Sequence, residues 1–249
     1  MAARRSSRPG TALAAADPSR RPVVAPAAVA DGATWPEVRA AAAGCRACDL
    51  WQRATQTVFG SGPVPAPLML VGEQPGDRED LEGRPFVGPA GAMLDRALEE
   101  AGIDRERTFV TNVVKHFKWR LDPRSKRRLH ERPDRTEIGA CLPWVEAELA
   151  LVRPEVLVAM GATAAGALLG SSVRVTRDHG RPLPSDLAPA VFTTIHPSAI
   201  LRARGAAARA AAFDGFVADL QAAAAAMAGG HGSAVVASPR PSTEAVSRR

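Results

Sequence analysis

The sequence predicts a three-layer α/β/α domain built on a four-stranded parallel sheet. Four short apolar runs, each closed by a turn or a polar cluster, read as buried strands, and segments with helical spacing lie between them. The residues with chemical potential gather just after the strand ends, where open α/β sheets bind their ligands. At 249 residues and 46% apolar content the chain can bury one such core and still leave tails.

Pro67–Glu73 (PLMLVGE) is the first strand, an apolar run ending in a glycine turn. Gly88–Ala101 follows as a helix, with Leu94, Ala97, Leu98 and Ala101 on one face and Gly102 as its stop. Thr108–Lys115 is the second strand. A helix from about Asp134 presents Ile138, Cys141, Val145, Leu149 and Val152 as its apolar stripe. Val156–Gly161 is the third strand, with a helix of small residues after it to Leu169, and Val191–Ile195 is the fourth. Helical residues over Ala206–Met227, with Phe213, Phe216, Val217 and Leu220 on one side, close the domain at residues 33–228. Residues 1–32 and 229–249 lack apolar periodicity and are expected to be disordered tails.

Charge is distributed unevenly. Lys118–Arg135 (KWRLDPRSKRRLHERPDR) holds eight Lys/Arg against three Asp/Glu, so +8 and −3 leave +5, while the whole chain carries only +6. A run this basic and rich in turn formers is expected to be a solvated loop inserted near the strand ends, and its natural partner is a polyanion. No continuous apolar segment marks a cleaved leader, and none approaches the roughly 18–20 residues that span a bilayer, so a cytoplasmic protein without membrane partners is expected. Three cysteines cannot make a disulfide framework.

Three constellations can carry chemistry. Gly72-Glu73-Gln74-Pro75-Gly76-Asp77 sets two carboxylates at the mouth of the first strand beside glycines that allow close approach, although an ordinary surface turn has the same composition. Cys45-x-x-Cys48 reads as half of a metal clip. Cys141, on an apolar stripe, is either a third ligand or a structural thiol, and His116 is the nearest nitrogen that completes a Cys3His set. Spacing alone favours zinc. His196-Pro197-Ser198 ends the fourth strand, where a capping role for His196 and a catalytic one are equally open. His179 and His231 suggest no role.

Taken together and in order, GEQPGDREDLEGRPFVGPAG, TNVVKHF, SKRRLH and HPSAILR resemble the uracil-DNA glycosylase superfamily over roughly Cys45 to Leu220. The nearest likeness is to the family 4 iron–sulfur branch, and the pairing of GEQPGD with a KRR-[IL]-H loop is similar to its UdgX members. Family 4 enzymes usually have a cysteine where this chain has His116, and the basic insertion lengthens the spacing to Cys141.

The resemblance implies a uracil-DNA glycosylase fold, a [4Fe–4S] cluster on Cys45, Cys48, His116 and Cys141, and uracil-containing DNA, preferably single-stranded, as the partner of a monomer. It implies that Phe86 stacks on the base, that Asn112 reads it, and that His196 donates to uracil O2. Glu73 would stabilise the sugar cation, with Gly72, Gln74 and Asp77 shaping the pocket. Lys126, Arg127, Arg128 and Ser198 would meet the DNA. His130 would attack C1′ and become covalently joined to it, kept neutral by Lys126, Arg127, Arg128 and Arg132. A turnover hydrolase, in which Glu73 or Asp77 activates water, and a DNA-binding module without bond cleavage are the rival readings.

Overall fold

β-Branched and apolar runs of five residues form four fully parallel strands, and a shorter pair stands apart from them. In the computed structural model, which describes residues 32–230, the strands are β1 (Leu68–Gly72), β2 (Thr108–Asn112), β3 (Trp119–Leu121), β4 (Arg128–His130), β5 (Val156–Met160) and β6 (Ala190–Thr194). The main sheet has the order β2-β1-β5-β6. Every residue of β1, β2 and β5 is buried, as expected for strands covered on both faces. The expected tails at residues 1–31 and 231–249 lie outside the described residues.

The helices are α1 (Trp35–Ala43), α2 (Asp77–Glu82), α3 (Pro89–Glu100), α4 (Arg135–Val152), α5 (Ala162–Leu169), α6 (Val175–Asp178), α7 (Pro197–Arg202) and α8 (Ala206–Gly230). Alternation along the strands divides the core into two layers. Leu68, Leu70, Val158 and Met160 pack with Leu94 and Leu98 of α3 and with Phe213, Phe216 and Leu220 of α8. Met69, Val71, Leu157 and Ala159 face the other way, onto Cys141 and Val152 of α4 and Ala164 and Ala165 of α5. This is the expected three-layer α/β/α arrangement. Asp134 caps α4, its carboxylate accepting from the amides of Thr136 (2.8 Å) and Glu137 (3.0 Å). No described helix is long and apolar enough to cross a membrane.

Two expectations need correction. The second strand stops at Asn112 rather than Lys115, because the chain turns inward there to bury Lys115. The basic insertion is not a loop: β3 and β4 form an antiparallel hairpin with Trp119 opposite His130 and Leu121 opposite Arg128. High charge excludes burial of a segment but does not prevent its backbone from pairing. Asp122 organises the turn, accepting from the Arg124 amide at 3.0 Å and the Ser125 hydroxyl at 2.5 Å. The guanidiniums of Arg53 and Arg128 lie 4.4 and 5.5 Å from the Trp119 ring, so the strands are held by stacked cations rather than by an apolar face.

Lys115 and Glu148 are wholly buried and 2.7 Å apart. The ammonium also donates to the Thr111 hydroxyl and the Asn112 carbonyl, both at 2.7 Å. The second Glu148 oxygen accepts from the Gly60 amide (2.9 Å) and the Thr111 hydroxyl (3.0 Å). With every polar atom matched, removing one partner strands a buried charge. Glu148→Ala is therefore expected to cost about 3–5 kcal/mol in urea unfolding, whereas Lys115→Met combined with Glu148→Leu costs less than that single change. A double variant weaker than Glu148→Ala would contradict this account.

Candidate active site

Gly72, the last residue of β1, is where three of the expected base contacts converge. A Cβ there would lie 2.4 Å from Asn112 Oδ1, 2.8 Å from the Phe86 ring and 3.3 Å from His196 Nε2. Only glycine leaves this space open. Asn112 ends β2 directly beside Gly72, and its Oδ1 is buried without a hydrogen-bond partner. A buried acceptor left unpaired costs about 1–3 kcal/mol, which a ligand N–H would recover. Phe86 holds a left-handed backbone (φ 57°), and its ring lies 6.1 Å from the His196 imidazole at 28°. Strain of this kind persists where the surroundings hold a side chain in place.

His196 caps α7, which settles which of its nitrogens carries the proton. Nδ1 accepts from the Ser198 amide at 3.2 Å and lies 2.8 Å from the Ser198 hydroxyl, which itself accepts from Arg202 at 2.9 Å. Nε2 therefore carries the hydrogen and presents it toward Gly72. Burial, helped by the Arg202 cation and by the neighbouring His130, pushes the imidazole down to about 4, so the ring is neutral at physiological pH. Ser198, expected at the DNA, spends its hydroxyl on this histidine.

Across the mouth, His130 Nε2 lies 3.4 Å from Glu73 Oε1, and the His130 side chain is 49% exposed. Burial lowers its proton affinity, Glu73 works against that, and Arg202 adds to the lowering. The cation acting on His130 thus comes from α7, not from the neighbouring Lys126, Arg127, Arg128 or Arg132. The other Glu73 oxygen accepts from the Thr163 hydroxyl.

Gln74 and Asp77, expected to shape the pocket, use polar atoms to hold the hairpin. Gln74 donates to the carbonyls of Lys118 (3.1 Å) and Glu131 (2.9 Å) and accepts from the Lys118 amide (3.1 Å), joining both ends of the insertion. Arg128 is turned inward onto Asp77 (2.5 Å) and the buried Asp80 (2.6 Å), while Lys126 and Arg127 stay exposed. Of the three basic residues expected at phosphates, Arg128 is instead an anchor for the strand that carries His130.

Of the four expected metal ligands, Cys48, Cys141 and His116 approach one another beyond the end of β2. Cys48 neighbours Cys141, whose hydrogen bond is the main cause that draws the Cys48 thiol down to about 5, with His116 adding to it. The Cys141 thiol is pushed well above the usual range by Cys48 and by burial. Cys45 accepts from the Trp144 indole at 3.2 Å and shares with His116 the lining of a cavity of about 170 Å³. His116 Nε2 bonds Thr57 at 2.9 Å, while its Nδ1 is buried and unpartnered. Among the described residues no three such side chains close on a single point. Thiols beside an orphaned imidazole nitrogen are the donor chemistry that suits a metal–sulfur group.

Sequence reasoning missed Thr163, Arg202 and the Lys115–Glu148 pair. Arg202 carries a local signal, four residues beyond Ser198 on one helical face. Thr163 carries none.

The strand mouths of this parallel α/β/α sheet thus bring an amide, an aromatic ring and an imidazole around an open glycine, with a second imidazole beside a carboxylate. Residues 59–221 match the uracil DNA glycosylase superfamily, and the chain belongs to it. It is similar to the type-4 uracil-DNA glycosylase of Thermotoga maritima, 38% identical over 161 residues, which are 64% of this chain and 79% of the relative. The type-4 enzyme of Pyrobaculum aerophilum is 35% identical over 165 residues, 64% of this chain and 80% of the relative. That of Sulfurisphaera tokodaii is 41% identical over 118 residues, 47% of this chain and only half of the relative.

Because the unfolded chain binds a proton on His196 that the folded site refuses, the resulting stability is complete above the ordinary value of 6.5 and is lost as pH falls toward about 4. Urea unfolding between about pH 7 and pH 4.5 should show this, with one proton giving a slope of at most about 1.4 kcal/mol per pH unit. The slope should diminish in His196→Gln. An identical slope in that variant would place the site's protonation elsewhere.

Proposed function

We propose that the protein recognises uracil in DNA, breaks its N-glycosidic bond and captures the abasic deoxyribose on His130 in a single turnover, as a UdgX-type member of the family 4 branch. The observation that carries the capture step is the imidazole 3.4 Å from Glu73, held there by a hairpin with its own anchors. A hydrolase needs a water beside that carboxylate; here a nitrogen nucleophile stands beside it.

Uracil leaves the stack most cheaply from single-stranded DNA, where no pairing is lost. Exposed Lys126 and Arg127 supply phosphate contacts to a protein acting as a monomer. Phe86 stacks on the base. The orphaned Asn112 Oδ1 accepts from uracil N3–H, and its amide donates to a carbonyl, a pattern that cytosine does not match. The bond between C1′ and the base breaks with its electron pair leaving on uracil. The His196 Nε2–H donates to uracil O2 as charge grows there, worth on the order of 3 kcal/mol. Glu73 faces the cationic sugar. The Nε2 lone pair of His130 closes a bond to C1′, and the imidazole proton leaves from Nδ1. The product is a neutral alkylated imidazole, a poor leaving group, which makes the adduct lasting.

Turnover by hydrolysis is the second reading, favoured by the type-4 names of the relatives. Denaturing electrophoresis with uracil-bearing single-stranded DNA separates the two. A heat-stable shifted band that disappears in His130→Ser, with DNA binding retained, is the expected result. A free abasic strand from the unaltered protein supports turnover, and a stable adduct in His130→Ser overturns the assignment.

Cys45, Cys48, His116 and Cys141 would hold a [4Fe–4S] cluster, His116 through its unpartnered Nδ1. The cluster supplies a structural tie between the segment before β1, the end of β2 and α4. Purified protein should be brown, carry about four irons per chain and bleach on reduction. His116→Cys should keep the colour and Cys141→Ala should lose it. Colourless protein with one zinc per chain would refute the cluster and leave the uracil reading intact.

A further inference from the structure

We infer that Thr163 is a positioning residue for Glu73, linking the segment that carries His130 to the carboxylate that faces it. The inference rests on the reading of Glu73 as the group that stabilises the sugar cation. Thr163 is the one polar residue of α5, whose sequence is otherwise alanine, glycine and leucine, and it is 5% exposed. Packing alone does not call for a hydroxyl there; valine has the same shape.

The hydroxyl is spent in two directions. It accepts from Arg132 Nε at 3.1 Å and donates its hydrogen to Glu73 Oε2. Glu73 then has one oxygen fixed and the other, Oε1, facing His130. The terminal torsion of a glutamate is broad and roughly two-fold, so without a fixed partner the carboxylate plane would turn freely. Arg132 lies two residues beyond His130, just past the end of β4. The same hydroxyl therefore registers the nucleophile's segment against the carboxylate. The start of α5 is itself held: Gly161, at φ 91°, donates to the Thr194 carbonyl at 2.8 Å and packs under His196, where a Cβ would come within 2.9 Å of the His196 Cβ. Thr163 thus stands on a turn that also borders the opposite side of the base site.

The test is single-turnover release of uracil from a single-stranded uracil-containing oligonucleotide, which reads bond breaking whether or not an adduct forms. Thr163→Val should slow release by roughly ten- to a hundred-fold, the scale of a misplaced catalytic group, with half-saturating DNA unchanged within about two-fold. Thr163→Ser, which restores the hydroxyl, should recover most of the rate. In a Glu73→Gln background, Thr163→Val should cost nothing further, because no carboxylate remains to be aimed. Wild-type release by Thr163→Val, or an equal loss in both backgrounds, would overturn the inference. If the unaltered protein releases no uracil, the functional reading itself falls and this inference with it.

Discussion

A lysine and a glutamate with no solvent contact meet behind the mouth of the sheet, and much of the site's geometry follows from how they are satisfied. Lys115 bends β2 out of the sheet to reach Glu148 on α4, and its ammonium grips the Asn112 carbonyl on the way. That grip sets Asn112 beside Gly72. The next residue, His116, is carried to the opposite side, toward the cysteines. One buried pair therefore stands between two environments, the strand-mouth site around Gly72 and the cysteine–histidine site, that share a few residues of backbone. A buried ion pair is poor value as stabilisation, and its use here is positional.

The hairpin depends on a second set of constraints. Basic residues do not hold a two-stranded ribbon together, and such ribbons are marginal alone. This one is fastened by Gln74 at its open end, by Asp77 and Asp80 on Arg128, and by the stacking of Trp119 between cations. The turn after β1 thus does two jobs, with Glu73 facing His130 and its neighbours holding the hairpin that carries His130.

The two sides of the site repeat one device. Arg202 donates to Ser198, which pairs with His196; Arg132 donates to Thr163, which donates to Glu73. In each case an arginine occupies a hydroxyl's acceptor side and so directs its hydrogen at the next group, an imidazole nitrogen or a carboxylate oxygen. On one side the result is a fixed tautomer, on the other a fixed carboxylate plane. Both are forms of preorganisation, which spares the reaction the cost of turning dipoles as charge separates.

Local pattern was enough for the four main strands and the long helices, because burial periodicity is written in neighbouring residues. It was also enough to mark Glu73 and His196 at the ends of strands, and Cys45 with Cys48 as a pair. It misjudged Lys118–Arg135, since composition reports solvation and not backbone pairing, and it did not foresee the partners of Gln74, Asp77, Arg128 and Ser198, which lie far along the chain or a turn away. Thr163 and Glu148 were invisible to it: a threonine among alanines and a glutamate on a helix carry no mark until folding sets a charge opposite them. The sequence by itself determined the four main strands and the helices between them. Only the tertiary structure decided which hydroxyl, amide or guanidinium each site residue meets, because hydrogen-bond partners are chosen by distance in space and not by distance along the chain.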